Sequence, residues 1–204
     1  MIEFFFDVSS PWTWLGFEGV QPLAADLGEE IVWRPILVGG VFNAVNGSVY
    51  EMRAKPVPAK ARYMVKDLGD WARVQGLEIR FPPKVFPVNS VKAMRACIWL
   101  LHHDAARFIA FTQRVFERYW HDDQDVSQDA VLAEIATDCG IDASALARGI
   151  TEPAIKEELK ANTDAVIRRG GFGSPTMFVG DDMYFGNDRL VLVRSAILRS
   201  RHAG

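Results

Sequence analysis

Residues 2–13 read IEFFFDVSSPWT, and the parsing of this stretch decides the architecture. Ile2 to Asp7 is a short, aromatic-rich run closed by a Ser-Ser-Pro turn signal, which predicts a buried strand. Pro11 suits the first turn of a helix, where an N–H would have had no partner, and Ser10 stands in the N-cap place. Trp14, Leu15, Phe17, Val20 and Leu23 carry the helix onward at three- and four-residue steps, and Gly28 stops it. Residues 30–36, EIVWRPI, read as a second strand parallel to the first. Together they form a β-α-β unit of about thirty-five residues, the length a parallel crossover needs.

Working outward, residues 37–48 (LVGGVFNAVNGS) read as a loop or short helix. After Pro58 a helical face gathers Ala61, Met64, Val65, Leu68, Trp71 and Ala72. Residues 81–90 (FPPKVFPVNS) hold three prolines and are predicted to be extended. Helices follow near 90–103, 105–120, 127–139 with Ser127 as N-cap, 143–149 and 152–169. Residues 176–179, then Gly-Asp-Asp, then 183–185 carry a hairpin signature, and Asn187 is read as the cap of a last helix running to about Ser200. The order β-α-β, helical block, β-β-α implies an α/β fold with a thioredoxin-like layout. Residues 1–36 and 171–204 make one discontinuous domain, and 37–170 a mainly helical insertion. The alternative from pattern alone is a mainly helical domain with a small irregular sheet.

With 49% apolar and 24% charged residues, the chain is not of the disordered class. A formal charge of −3 supplies no basic field, so nucleic acid is not an expected main partner. Cys97 and Cys139 show neither metal-ligand spacing nor a disulfide framework, and a reduced compartment follows. The run from Ile2 to Asp7 is too short for a signal segment and lacks a basic flank. No apolar stretch reaches the ~18 residues of a membrane span. A soluble, cytoplasmic protein is expected, with no metal site.

Three features carry candidate chemistry. At Ser10-Pro11-Trp12-Thr13 a strand turns into a helix, the place where redox enzymes of this layout carry Cys-x-x-Cys. Both sulfur positions are hydroxyls here, so thiol–disulfide exchange by the chain itself is excluded at this turn. What remains is an anion site built from a helix N-terminus and a hydroxyl donor, able to hold a thiolate from elsewhere; the plain alternative is an N-cap. At Gly173-Ser174-Pro175-Thr176 a proline enters a strand. If it is cis, the residue before it offers backbone groups to an extended peptide; the alternative is a trans turn. At Phe185-Gly186-Asn187-Asp188-Arg189 a helix begins whose N–H groups suit a carboxylate, with Asp188 suited to an ammonium group; the alternative is a plain helix cap with an acid in its first turn. His121-Asp122-Asp123 reads as a solvated loop rather than a metal site. His102-His103 reads as a helix C-terminal dipole partner, as do Arg194, Arg199 and Arg201.

Taken together, FFFDVSSPWTWLG (4–16), WRPILVGGVFNAV (33–45), KPVPAKARYMVKDLGDWA (55–72), FPVNSVKAMR (86–95) and GGFGSPTMFVGDDMYFGNDRL (170–190) resemble the 2-hydroxychromene-2-carboxylate isomerases and, more broadly, the kappa-class glutathione transferases. The resemblance implies glutathione as cofactor, a small aromatic substrate and a homodimer. It implies that Ser10 is catalytic and hydrogen-bonds the glutathione sulfur. Ser174 would pair with the cysteinyl backbone, and Phe185, Gly186, Asn187 and Asp188 would hold the γ-glutamyl end. Phe42, Asn43, Lys55, Val88 and Asn89 fall where the family lines its substrate pocket; at Lys55 relatives tend to carry Asn next to Pro. The implied activity is glutathione-dependent isomerisation. A kappa-like transferase that consumes glutathione, and a non-catalytic peptide-binding module, are the alternatives.

Overall fold

The computed structural model describes residues 1–202. Strand β1 (Ile2–Phe6) leads into helix α1 (Pro11–Leu27) and strand β2 (Ile31–Pro35). Helices α2 (Val38–Val45), α3 (Ser48–Ala54), α4 (Pro58–Val74), α5 (Val91–His103), α6 (Ala105–Trp120), α7 (Asp129–Asp138), α8 (Ala143–Gly149) and α9 (Pro153–Arg168) follow. Strands β3 (Thr176–Val179) and β4 (Asp182–Phe185), a 3-10 turn (Asn187–Arg189) and α10 (Leu190–His202) complete the described chain. The sheet order is β2-β1-β3-β4. β1 runs parallel to β2, with Phe4 opposite Trp33, and antiparallel to β3, with Phe5 opposite Thr176; β3 and β4 form the hairpin. The predicted β-α-β and β-β-α halves thus share one sheet, and the mainly helical alternative is set aside.

Alternation along β1 sends side chains to two covered faces, so the strand is apolar on both. Phe4 and Phe6 meet Phe17 of α1, Trp33 of β2 and Phe108 of α6 on one face. Phe5 packs with Phe178, Ile36, Val41 and Val166 on the other. The large core is continuous from the sheet through α1 into α5, α6, α7 and α8. The helical segment therefore extends the core of the sheet rather than building a separate one. Among the described residues no helix is long and apolar enough to cross a membrane.

Five local expectations need correction. The short helix expected within residues 37–48 is α2, but a further helix, α3, follows before Pro58, where none was expected. Residues 81–90 are a series of bends, not one extended run, with cis peptide bonds at Phe81–Pro82 and Phe86–Pro87; the extended bias before proline acts on single residues and does not straighten a segment. Ser127 is not the cap of α7, because Asp125 accepts its N–H and Gln128 takes the cap position. Asn187 lies inside the 3-10 turn that precedes α10, after Gly186 at φ 101°. On α4 only the carboxyl-terminal half of the apolar face is covered: Leu68 and Ala72 pack on Leu15, while Met64 and Val65 are exposed.

Candidate active site

The site begins with an N-cap. Ser10 has an extended backbone, and its Oγ accepts the Thr13 N–H at 3.3 Å, which anchors the start of the 17-residue α1. Pro11 brings no N–H, and Thr13 N–H is taken, so the Trp12 N–H is the donor left for a ligand at this helix end.

Facing the helix start is the Ser174–Pro175 peptide, which is cis. The Ser10 hydroxyl donates to the Ser174 carbonyl at 3.2 Å, and the Thr13 and Ser174 hydroxyls lie 2.8 Å apart. The Asp7 N–H donates to Ser174 Oγ at 3.0 Å. Gly16 permits this approach, because a Cβ there would stand 2.9 Å from Pro175 Cγ. Ser174 is only 6% exposed. Sequence reasoning placed Thr13 at the second sulfur position but gave it no task. Its task is to hold Ser174.

Asp7 is the second residue that sequence reasoning passed over as a strand end. It lies just past β1, is 1% exposed, and accepts Ser9 N–H at 2.9 Å and Val38 N–H at 2.8 Å on separate oxygens. Burial pushes this carboxyl above the usual carboxylate range, against the opposing pull of the Ser9 and Val38 N–H groups and the Ser90 hydroxyl. Asp7 therefore ties three segments together: the Ser10 loop, the start of α2 and the start of α5. A buried acid at the end of an aromatic strand was the available signal.

These ties place the expected pocket residues. Phe42 and Asn43 ride on α2; Asn43 Oδ1 accepts the Tyr50 hydroxyl at 2.9 Å, and the Phe42 and Tyr50 rings meet edge-on at 6.3 Å. Asn46 at the end of α2 donates to the Phe172 carbonyl at 3.0 Å, joining α2 to the cis-proline loop. Val88 is buried and belongs to the core, whereas exposed Asn89 spends its Oδ1 on the Val91 N–H at 3.1 Å. Lys55 is an exposed residue closing α3.

At the last strand-to-helix junction, Phe185 pairs with Thr176, and its ring packs on Phe172 at 4.5 Å. The Gly186 N–H donates to the Pro175 carbonyl at 3.0 Å, so this junction and the cis-proline loop are one unit. Asn187 is 5% exposed, and its Nδ2 has no partner among the described residues. Asp188 is exposed and paired with Arg189.

Comparison with known proteins matches residues 1–198 to the family described as a DSBA-like thioredoxin domain. A 2-hydroxychromene-2-carboxylate isomerase of Pseudomonas putida is 32% identical over 98% of this chain and 95% of its own. The chain belongs to the 2-hydroxychromene-2-carboxylate isomerase family of DSBA-like thioredoxin domains. The solved structure of one such isomerase superposes on this family member with a TM-score of 0.82 at 29% identity, covering 99% of this chain and 96% of that one. Human glutathione S-transferase kappa 1 is 28% identical over 94% of this chain and 88% of its own. Against the redox members of the wider fold, this member of the isomerase family has hydroxyls at residues 10 and 13. Of its two thiols, Cys97 is fully buried, and burial pushes its pKa up to about 12.

Proposed function

We propose that the protein is a glutathione-dependent cis–trans isomerase that interconverts 2-hydroxychromene-2-carboxylate and trans-o-hydroxybenzylidenepyruvate in naphthalene-type catabolism, working in the cytoplasm as a homodimer. The observation that carries the reading is Ser10: a hydroxyl at a helix N-terminus, 3.2 Å from the carbonyl that precedes a cis proline. Asn187, next to the Gly186 that binds the Pro175 carbonyl, keeps a buried Nδ2 without a partner among the described residues, which supports a ligand with an acceptor on this side of the cis proline, as the γ-glutamyl carboxylate is.

Glutathione, which Ser10, Ser174 and residues 185–188 would hold, would supply a thiolate nucleophile able to add reversibly to the conjugated double bond of the opened substrate without being consumed. The chain's own task is to keep that sulfur ionised. A free thiol has a pKa of about 8.5; a helix N-terminus and one hydroxyl donor lower it by about one to two pH units, on the order of 1.4–2.7 kcal/mol. The proton of Ser10, now directed to the Ser174 carbonyl, turns to the sulfur, and the Trp12 N–H supplies the helix-end donor. Ser174 offers its backbone to the cysteinyl unit, with its side chain already fixed by Thr13 and Asp7. Phe185, Gly186, Asn187 and Asp188 hold the γ-glutamyl end. Phe42, Asn43, Lys55, Val88 and Asn89 border the aromatic substrate. A serine suits the task better than a cysteine, which would trap glutathione as a mixed disulfide.

The experiment measures three things on the purified protein. Glutathione is counted before and after turnover, and an unchanged count separates isomerase from a kappa-like transferase. The ultraviolet thiolate band of bound glutathione is titrated, and its presence below neutral pH is the expected result; its absence returns the chain to a peptide-binding module. Ser10→Ala lowers turnover by at least about tenfold; wild-type rates in that variant remove Ser10 from the mechanism.

A further inference from the structure

Between Met52 and Lys66 the chain carries Arg53, Lys55, Lys60, Arg62 and Lys66 and no acidic residue, in a protein whose formal charge is −3. One of these cations is held unlike the rest. The Arg53 guanidinium lies over two aromatic rings from separate segments, 5.8 Å from the Phe42 centroid and 5.3 Å from that of Phe86. Cation–π attraction to ring faces uses the charge of a guanidinium without consuming its N–H donors. Among the described residues no carboxylate pairs with Arg53, although it is exposed and Glu51 shares its helix.

The place of those rings matters. Phe42 sits on α2, whose first N–H is bound by Asp7. Phe86 packs against Trp120 at 6.3 Å, and the Trp120 indole donates to the Val8 carbonyl at 2.9 Å. Both rings are thus anchored to the loop that ends in Ser10. Tyr119, whose hydroxyl donates to the Val85 carbonyl at 2.9 Å, lies within the electrostatic reach of Arg53.

We infer that Arg53 is a specificity-determining residue that receives the carboxylate of the aromatic substrate. The inference rests on the proposed isomerase reading and adds the group that reads the acid. A planar carboxylate matches the guanidinium rim through two parallel N–H···O bonds, while the substrate ring is left to Phe42 and Phe86.

The test compares binding of unreactive chroman-2-carboxylate with that of its uncharged methylamide, by calorimetry, in the wild type, Arg53→Met and Arg53→Lys. The wild type is expected to prefer the acid, and Arg53→Met to bind the acid roughly tenfold more weakly while binding the amide as before. Arg53→Lys keeps a charge but loses the planar rim, and it is expected to fall between. For turnover, the loss in Arg53→Met appears in KM more than in kcat. An acid preference that survives in Arg53→Met, or equal loss for acid and amide, overturns the inference. Thiolate absorbance of bound glutathione, read in the same samples, is expected to stay unchanged in Arg53→Met. A wild type that prefers the acid but shows no thiolate refutes the cofactor reading alone, so the two failures are distinguishable.

Discussion

Replacing Asp7 by Asn preserves the shape of the side chain and removes its charge, which isolates the electrostatics of the junction under the candidate site. The carboxyl takes the Ser9 N–H on one oxygen at 2.9 Å and the Val38 N–H on the other at 2.8 Å. An amide has one oxygen, so one of these N–H groups is left facing an NH2 group, at a cost of about 1–3 kcal/mol. Against this stands the burden of a buried charge in the wild type. Burial raises the folded pKa of Asp7 above its ordinary 3.8, and the hydrogen-bond donors around it only partly offset it. A carboxyl with a raised folded pKa keeps its proton longer in the folded state than in the unfolded chain. Its contribution to stability is therefore full below the unfolded pKa and is lost as pH rises through the folded one. Each pH unit between the two is worth about 1.4 kcal/mol. The amide does not titrate, so the deficit of Asp7→Asn relative to wild type is largest in acid, shrinks as pH rises, and then levels off. Urea unfolding of both proteins at steps between about pH 4 and pH 8 measures the difference directly, with the other carboxylates cancelling. A difference that stays constant, or that grows with pH, refutes the reasoning.

Two further outcomes follow from the same neighbourhood. Gly16→Ala places a Cβ 2.9 Å from Pro175 Cγ and 3.4 Å from Phe4 Cζ; a helix gain of about 1 kcal/mol is opposed by an overpacking cost of about 1–3 kcal/mol. The variant is expected to melt no higher than wild type and to lose turnover as the proline loop is pushed from Ser10; a more stable variant with full turnover contradicts this. Cys97 is buried and its pKa is pushed up to about 12, so at pH 8 it is held as the thiol and resists a disulfide reagent until the chain is unfolded; rapid labelling of Cys97 in the folded protein contradicts this.

The fold was legible because its signals are local and agree with one another. An aromatic run stopped by Ser-Ser-Pro, a helix opened by Pro11 and closed by Gly28, and a hairpin around Gly180 each fix one element, and their order leaves few ways to share a sheet. The Ser10 cap was legible for the same reason. Thr13 and Asp7 were not, because their partners lie far along the chain: Ser174 for Thr13, and Val38 for Asp7. Val88 shows the opposite difficulty. The resemblance puts it among the pocket residues, a place that sequence pattern alone does not distinguish from the core in which its side chain packs. Arg53 escaped notice because an isolated arginine on an exposed helix has no periodic signature; only the two rings beneath it single it out.

The hydrogen bonds around the site also argue for what kind of ligand it accepts. Thr13, Ser174, Asp7 and Val38 form one chain of contacts, hydroxyl to hydroxyl to backbone N–H and carboxyl to backbone N–H. Each of those polar groups is already satisfied, and removing any one strands another in a buried setting. The hydroxyls at the two former sulfur positions therefore differ in availability. Thr13 is fully buried and committed to Ser174, whereas Ser10 is partly exposed, with its proton on a carbonyl that a ligand can displace. Three donors are left for a ligand: the Ser10 hydroxyl, which now donates to the Ser174 carbonyl, the Trp12 N–H, and Asn187 Nδ2, which has no partner among the described residues. Such donors suit a ligand that brings acceptors of its own, with negative charge favoured at the helix start. A thiolate joined by peptide backbone to a carboxylate meets that requirement, and the chain's own thiols, one locked in the core and one on α7's end, do not.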